Sequence, residues 1–489
     1  MNLIIRADAS QQIGYGHVMR CLALAQAWQD RGGEVLFLAH ELPPALRQRL
    51  TTEKMSYLVG GNQPGDEEDA AFVIEQARAL DAPLVVVDGY QFGADYQQRI
   101  KAAGLPLLVL DDYAHADFYA ADWVLNQNPG AEESLYPRHA ESTRFLLGTR
   151  YALIRREFWR GRRDHPAPVG RKILVTLGGT DPQNITRSVI DKLEQIDAPD
   201  LEVVIVVSAA NPQIGDLQAA VSRSRHAMRL ETNVSDMTPL MAWADLALSA
   251  AGGTLWELAL LGVPTCALIT AENQRGGAEA FAASGALRLL DIDFDPDVIG
   301  RLLADEEARA QLSQRAQAAV DGYGVERVIM RVRGEKLWLR PAQAGDARLI
   351  WEWANEPVVR AASFNSAPIP WEDHVRWFTR KLSDPHALIL IGMDADDLPI
   401  GQVRFDVEGA EAIISVMVTT ARAGKGFGAD LIERGVQRVL REHPSVERVL
   451  AYIKTENSAS IRAFEKAGFA FKQDATVKDN PARLYTRKR

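Results

Sequence analysis

His17 sits in IGYGHVMR (13–20), where Gly14 and Gly16 precede the imidazole and a helix-like stretch follows. The glycines permit a sharp turn and close backbone approach, and a helix start leaves N–H groups free to meet a phosphate or sugar oxygen. An imidazole in such a place can act as a general base, or it can do no more than cap the helix. Further small-residue turns recur along the chain. LGGTD (177–181) carries Gly178 and Gly179; SAAGGTLWE (249–257) carries Gly252, Gly253, Thr254 and Glu257; AENQ (271–274) carries Asn273 and Gln274. Small residues let a phosphate approach the backbone, and a carboxylate one turn into the helix can accept ribose hydroxyls. Each turn taken singly can equally be a device for packing a helix on a sheet. Near the C-terminal end, AGKGFG (423–428) follows an apolar run at 412–418 and precedes a helical pattern through Leu431, Ile432, Val436 and Val439. A strand, a glycine-rich loop and a helix start make an anion site from backbone N–H groups. By itself the loop is also compatible with a plain turn or with part of a dinucleotide fingerprint.

Short apolar runs at 3–7, 35–39, 84–87 and 107–110 alternate with helical periodicity, including Cys21, Leu24, Ala25 and Trp28 on one helical face. Continuous apolar strands are covered on both faces, so the alternation predicts a parallel sheet with right-handed crossovers. A polar, Pro-containing stretch, RGRRDHPAPVG (160–170), breaks the pattern and reads as a linker. A second α/β set follows, with strands at 172–176, 201–207, 246–248 and 265–269. Two such units leave a cleft between them, and open parallel sheets bind ligands at the carboxyl ends of their strands. A third unit opens at KLWLRP (336–341), and its Trp338, Trp351, Trp353, Trp371 and Trp377 are expected to form its core. The expected fold is therefore α/β: two Rossmann-like domains, residues 1–162 and 163–330, and a separate α+β domain, residues 336–489.

The bulk numbers narrow the function. With 489 residues and about one domain per ~150 residues, three units are reasonable. A net charge of −10 without a Lys/Arg block argues against nucleic acid as a partner. Cys21 and Cys266, the two cysteines, lie in apolar runs and read as buried thiols in a reducing compartment. The N-terminus has no signal-peptide pattern and no apolar stretch approaches a membrane span, so a cytoplasmic protein without a membrane partner is expected. No His/Asp cluster has metal-ligand spacing.

The layout of SxxGGTxxE with a later ENQ resembles the nucleotide-sugar half of the glycosyltransferase B (GT-B) fold, especially the MurG-like group. RADAS with GYGHVMRCLALA, together with VDGY (87–90), LDDY (110–113), LNQN (125–128) and YALIRREF (151–158), resembles the UDP-2,4-diacetamido-2,4,6-trideoxy-β-L-altropyranose hydrolases of pseudaminic acid synthesis. The resemblance covers about residues 1–330 and implies a GT-B arrangement of the two Rossmann-like domains. It implies that His17 activates water at the sugar anomeric carbon, so that UDP leaves by C–O cleavage with inversion. It also implies that Gly252, Gly253, Thr254 and Glu257 hold UDP, that Asn273 and Gln274 lie near the diphosphate or sugar, and that Tyr90 and Asp95 touch the sugar. Residues 336–489, with AGKGFG and the later TENSASIRAFEKAGF (455–469), resemble the GNAT acetyltransferases. That likeness implies acetyl-CoA as donor, with Gly424, Lys425, Gly426, Phe427 and Gly428 on its pyrophosphate. Met417 and Val418 would meet the pantetheine arm where two strands splay, with Asn457 and Ser460 lining the same groove. Two positions depart from the GNAT pattern: Ala423 replaces a Gln or Arg, with Arg422 one residue early, and Phe464 replaces a frequent Tyr general acid. Either Tyr452, Tyr485 or water then supplies the proton, or the domain is impaired. The combined expectation is a UDP-amino-sugar hydrolase joined to an N-acetyltransferase acting one step earlier. A glycosyltransferase, or a non-catalytic nucleotide-sugar binding module, fused to an acetyltransferase of other amine specificity are the alternatives.

Overall fold

The computed structural model describes every residue except 1, 11, 61–62, 162–167, 179–180, 182, 199, 210 and 233. Gly179, most of the expected linker and the expected boundary at 162/163 lie outside the described residues. Two compact units result, Met1–Val328 and Ile329–Arg489, and the first contains both parallel sheets.

The first sheet comprises β1 (Asn2–Ala7), β2 (Glu34–Ala39), β3 (Ser56–Val59), β4 (Leu84–Asp88), β5 (Leu107–Leu110), β6 (Trp123–Asn126) and β7 (Arg144–Leu147), in the order 3-2-1-4-5-6-7. All its pairings are parallel. The strand order reverses between β1 and β4, which opens a crevice at their carboxyl ends. The helix Gly16–Gln29 returns from β1 and buries Cys21, Leu22, Leu24, Ala25 and Trp28. Each large apolar side chain so buried contributes about 1.5–3 kcal/mol. β3, absent from the expected strand set, is a four-residue edge strand with three of its residues exposed, so its sequence lacks the continuous apolar signature of its neighbours.

The second sheet comprises β8 (Lys172–Thr176), β9 (Glu202–Val207), β10 (Ala227–Thr232), β11 (Leu246–Ala250), β12 (Thr265–Leu268) and β13 (Arg288–Leu290), in the order 10-9-8-11-12-13. It repeats the parallel plan, with its reversal between β8 and β11. At the end of this unit's sequence, Glu326 pairs with Arg31 and Arg327 donates to the Arg150 carbonyl at 2.9 Å, bonding back to its N-terminal part.

The second unit is a mixed sheet of β14 (Trp338–Pro341), β15 (Ala387–Met393), β16 (Pro399–Glu408), β17 (Glu411–Val418), β18 (Arg448–Lys454), β19 (Ala470–Val477) and β20 (Asn480–Lys488), in the order 14-15-16-17-18-20-19. Only β17 and β18 are parallel neighbours. The tryptophan cluster departs from the expectation. Trp338 and Trp353 are buried, whereas Trp351, Trp371 and Trp377 are half-buried, and Arg348 and Arg404 lie over their rings. The core is instead mainly aliphatic, built from residues such as Leu390, Val403, Leu431, Ile432 and Val449 with Phe405, Phe464, Phe469 and Tyr485 among them.

Candidate active sites

At the β1/β4 crevice, chain turns after β1 through Gly14, whose φ of +77° suits glycine. The first helical bond runs from Met19 N to the Tyr15 carbonyl, so residues 16–18 stand before the helix ladder begins. His17 Nδ1 lies 2.6 Å from Asp88 Oδ1 at the end of β4. Arg20, one turn further along the helix, donates to both Asp88 oxygens at 2.6 Å and to Asp112 Oδ1 at 2.6 Å. Burial opposes the charge on Asp88, but Arg20 and then His17 outweigh it and hold the carboxyl well below the usual carboxylate range. An ionised Asp88 can only accept, so the Nδ1 proton of His17 points to it, and in the neutral ring Nε2 is the nitrogen left to accept. Tyr90 packs edge-on to the His17 ring at 5.3 Å and donates to Asp112 Oδ2 at 2.8 Å. Burial and the Asp112 charge raise the Tyr90 phenol above its ordinary value.

A cleft of about 1350 Å³ opens beside this cluster, lined by Gly16, Met19 and Arg20 from the first sheet's side. His17 is not among its lining residues; its side chain keeps 13% exposure. From the second sheet, Gly178, Gly253, Thr254 and Glu257 line the same cleft. Gly178 follows β8, and Gly252–Thr254 opens the helix Thr254–Leu261 after β11, so both turns stand at that sheet's strand-order reversal. Glu257 Oε1 accepts from Arg155 Nη2 at 2.7 Å, and burial raises its carboxyl despite that partner. Asn273 Nδ2 donates to the Tyr90 hydroxyl at 3.0 Å, which links the AENQ loop to the His17 cluster. Gln274 turns inward and accepts from Thr270 N at 3.0 Å, and its amide nitrogen lies beside Gly252. Asp95 is exposed in the first turn of the helix Ala94–Ala102, and the structure does not bring it to this cluster.

In the second unit, β17 and β18 pair only at Glu411↔Arg448, Ala412↔Val449 and Ile413↔Leu450; beyond Ile413 they diverge. Met417 and Val418 sit on the diverging segment of β17 and are held on its other side by Gln402 and Gly401 of β16. The loop then reaches Gly424 and Gly426, and the helix Phe427–Glu442 begins with Gly426 as its cap at φ +84°. Phe427 and Gly428 are therefore first-turn residues. Asn457 caps the helix Ser458–Lys466 by accepting from Ser460 N at 3.1 Å. Phe464 is buried edge-on against Phe469, and Tyr485 donates to Glu465 at 3.1 Å.

Residues 336–470 match the acetyltransferase (GNAT) domain model. Residues 173–321 match the glycosyltransferase family 28 C-terminal domain model. The chain is an enzyme: a GT-B half fused to a GNAT acetyltransferase domain. A Methanocaldococcus jannaschii protein is similar along the fusion, 22% identical over 96% of each chain. The GT-B half is similar to the Bacillus subtilis spore coat polysaccharide biosynthesis protein SpsG, 25% identical over 67% of this chain and 96% of the relative. It is also similar to the UDP-2,4-diacetamido-2,4,6-trideoxy-beta-L-altropyranose hydrolase of Campylobacter jejuni, 26% identical over 58% of this chain and 97% of the relative. Among solved structures, Acinetobacter baumannii MurG aligns with a TM-score of 0.48 and 20% identity, covering 68% of this chain and 99% of that one.

Sequence motifs alone left Asp88, Arg20 and Asp112 of the GT-B half without roles, although VDGY and LDDY contain two of them. The available signal is a carboxylate closing an otherwise apolar run, as in LVVVD (84–88). Inside the GNAT domain, Arg422 cannot stand in for the missing residue at 423, because its guanidinium is fixed on buried Asp394 at 2.6 Å. Tyr485 is likewise committed to Glu465, which leaves Tyr452 as the half-buried phenol on β18. Among the described residues no group of three or more His, Cys, Asp or Glu is placed to hold a metal, and no helix is long and apolar enough to cross a membrane.

Proposed function

We propose that the GT-B half hydrolyses UDP-2,4-diacetamido-2,4,6-trideoxy-β-L-altropyranose to the free sugar and UDP. In the same proposal the GNAT domain uses acetyl-CoA to acetylate the 4-amino group of the preceding UDP-amino-sugar. The observation that carries the hydrolytic reading is the His17–Asp88 pair at a strand-order reversal, with Arg20 holding the carboxylate charged. Asp88 fixes the Nδ1–H tautomer, so Nε2 takes a proton from water as the water oxygen bonds to the anomeric carbon. The bond from that carbon to the UDP oxygen breaks on the opposite face, UDP departs as the anion, and the imidazolium later returns its proton to solvent. Gly252, Gly253, Thr254 and Glu257 hold the nucleotide, Gly14, Gly16 and Gly178 leave room for phosphate and sugar oxygens, and Tyr90 with Asn273 faces the sugar. Gln274 supports the Gly252 turn, and Asp95 contributes only if the substrate reaches beyond the His17 cluster. The names of the Campylobacter relative and of a Helicobacter pylori relative, a cytidylyltransferase joined to the same hydrolase activity, support this substrate.

For acyl transfer, the diverging strands leave a slot for the donor's amide-containing arm along Met417 and Val418, with Gly424, Lys425, Gly426, Phe427 and Gly428 on the pyrophosphate and Asn457 and Ser460 along the groove. The neutral amine attacks the thioester carbonyl carbon, the C–S bond breaks, the nitrogen gives its extra proton to solvent as the amide forms, and the CoA thiolate leaves and takes a proton from Tyr452 or solvent. Segments 1–162, 163–330 and 336–489 are the working parts of this scheme, with UDP-amino-sugar and acetyl-CoA as its substrates.

The test is incubation with UDP-4-amino-4,6-dideoxy-N-acetyl-β-L-altrosamine and acetyl-CoA in ¹⁸O-water, with products followed by NMR and mass spectrometry. CoA should appear before UDP, and the heavy oxygen should enter the sugar and not UDP. His17→Ala should lower UDP release by about 10²–10⁴-fold while nucleotide binding persists. Label in UDP, or transfer of the sugar only when an acceptor alcohol is added, would overturn the hydrolytic scheme.

A further inference from the structure

At the start of the GNAT domain, Lys336 extends toward the glycine-rich loop. Its Nζ lies 3.3 Å from where a Cβ on Gly426 would stand, beside the cap of the helix Phe427–Glu442. The placement is built from the preceding residue. Glu335 accepts from Arg434 Nη1 at 2.7 Å, and Arg434 belongs to that same helix, while Arg333 holds the other Glu335 oxygen at 3.1 Å. The sheet brings the start of β14 to the level of the loop, because Trp338 pairs with Met393, Met393 with Pro399, and the adjoining Gly401 with Val418. Among the described residues, no carboxylate pairs with Lys336, and its side chain is exposed.

The loop itself is short of cationic charge. Ala423 occupies the position where a Gln or Arg is usual in such loops, and Arg422 is consumed by Asp394, whose other oxygen braces the turn at Asp396 and Leu398. Two anionic phosphoryl groups placed over the helix start would therefore meet backbone N–H groups and Lys425, but no guanidinium from the loop. We propose that Lys336 supplies the missing cation, ion-pairing with the diphosphate of the CoA donor from outside the glycine-rich motif. This rests on the acetyl-CoA reading of the domain. An ammonium differs from a guanidinium in offering a point charge and not a planar fork, so it fits a diphosphate whose orientation the backbone N–H groups already set.

The experiment measures acetyl-CoA binding to the full chain by calorimetry, and initial rates with acetyl-CoA and with S-acetyl-pantetheine, which lacks the phosphates. Lys336→Ala should raise the acetyl-CoA Kd about tenfold, and Lys336→Arg should stay within about threefold of the parent. The ratio of kcat/KM for acetyl-CoA over S-acetyl-pantetheine should fall about tenfold in Lys336→Ala. Raising salt to about 0.5 M should weaken the parent more than Lys336→Ala. An unchanged donor ratio, or an equal loss on both donors, overturns the assignment while the acetyl-CoA reading stands. A parent chain that binds no acetyl-CoA at all overturns that reading and the assignment together.

Discussion

Asp88→Asn tests the hydrolytic site at its most constrained point. The carboxylate takes His17 Nδ1 on one oxygen, with Arg20 on both, all at 2.6 Å. An amide at the same position keeps one acceptor and gains an NH₂. Arg20 reaches both positions, so either placement sets the NH₂ against one guanidinium N–H; with the NH₂ at the Oδ1 position it also faces His17 Nδ1. The imidazole must then accept at Nδ1 and carry its proton on Nε2, where the lone pair for water was. Loss of a positioned base of this kind is expected to cost about 10³–10⁴ in kcat, or about 4–5 kcal/mol of barrier. Binding of UDP should change by less than about twofold, because Asp88 does not line the cleft. The folded state should lose only about 1–3 kcal/mol, since Arg20 retains Asp112 at 2.6 Å. The assay is single-turnover UDP release beside a thermal melt and UDP calorimetry on the same preparation. A variant that releases UDP within about threefold of the parent rate, while remaining folded, would refute the role of the Asp88–Nδ1 bond.

The same carboxyl makes a pH prediction. Its folded value lies well below the ordinary range, so its contribution to stability is fully present above about pH 4 and is lost as pH falls from there toward the folded value; urea midpoints below about pH 4 should drop more steeply for the parent than for Asp88→Asn. Arg155→Ala should leave Glu257 buried without its counter-ion and cost about 3–5 kcal/mol, whereas Glu257→Gln should cost less and mainly weaken nucleotide binding; a melt showing the reverse order would refute the pairing. Gly14→Ala should destabilise by about 1–2 kcal/mol through its φ of +77° alone, because nothing lies within 4 Å of the added Cβ; an unchanged unfolding midpoint would count against that turn. Burial pushes the Cys266 thiol up to about 12 and raises Cys21 as well, so a disulfide reagent near pH 8 should label neither until denaturant is added, and rapid native labelling would contradict the packing.

What could be seen in the sequence followed from local rules. Continuous apolar runs marked β1, β2, β4, β5, β8, β9, β11, β12 and β17, and glycine turns marked the ends where Gly14, Gly178, Gly252 and Gly424 stand. The partners of His17 could not be seen this way, because Asp88 is 71 positions away in the chain and meets the imidazole only through the β1–β4 pairing. Arg20 lay one helical turn from His17, yet its two carboxylates come from different strand ends. The short strands β3, β6, β7 and β13 have three or four residues each, too few for a period to declare itself. Trp371 and Trp377 were misplaced in the core because composition alone does not distinguish a filled interior from an aromatic helix face crossed by arginines.

The division of the GT-B half between two sheets has a mechanical consequence. His17, Asp88, Arg20, Asp112 and Tyr90 all hang from the first sheet and its helix, whereas Gly252, Gly253, Thr254 and Asn273 hang from the second. Any hinge-like parting of the lobes would carry the proton-handling apparatus away intact and undo only the Tyr90–Asn273 bridge, the Arg155–Glu257 ion pair and their kind. Under the proposed scheme, turnover at saturation and grip on the nucleotide would be set by separate bodies, and loosening the seam between them should be felt as faster release before it is felt as slower chemistry.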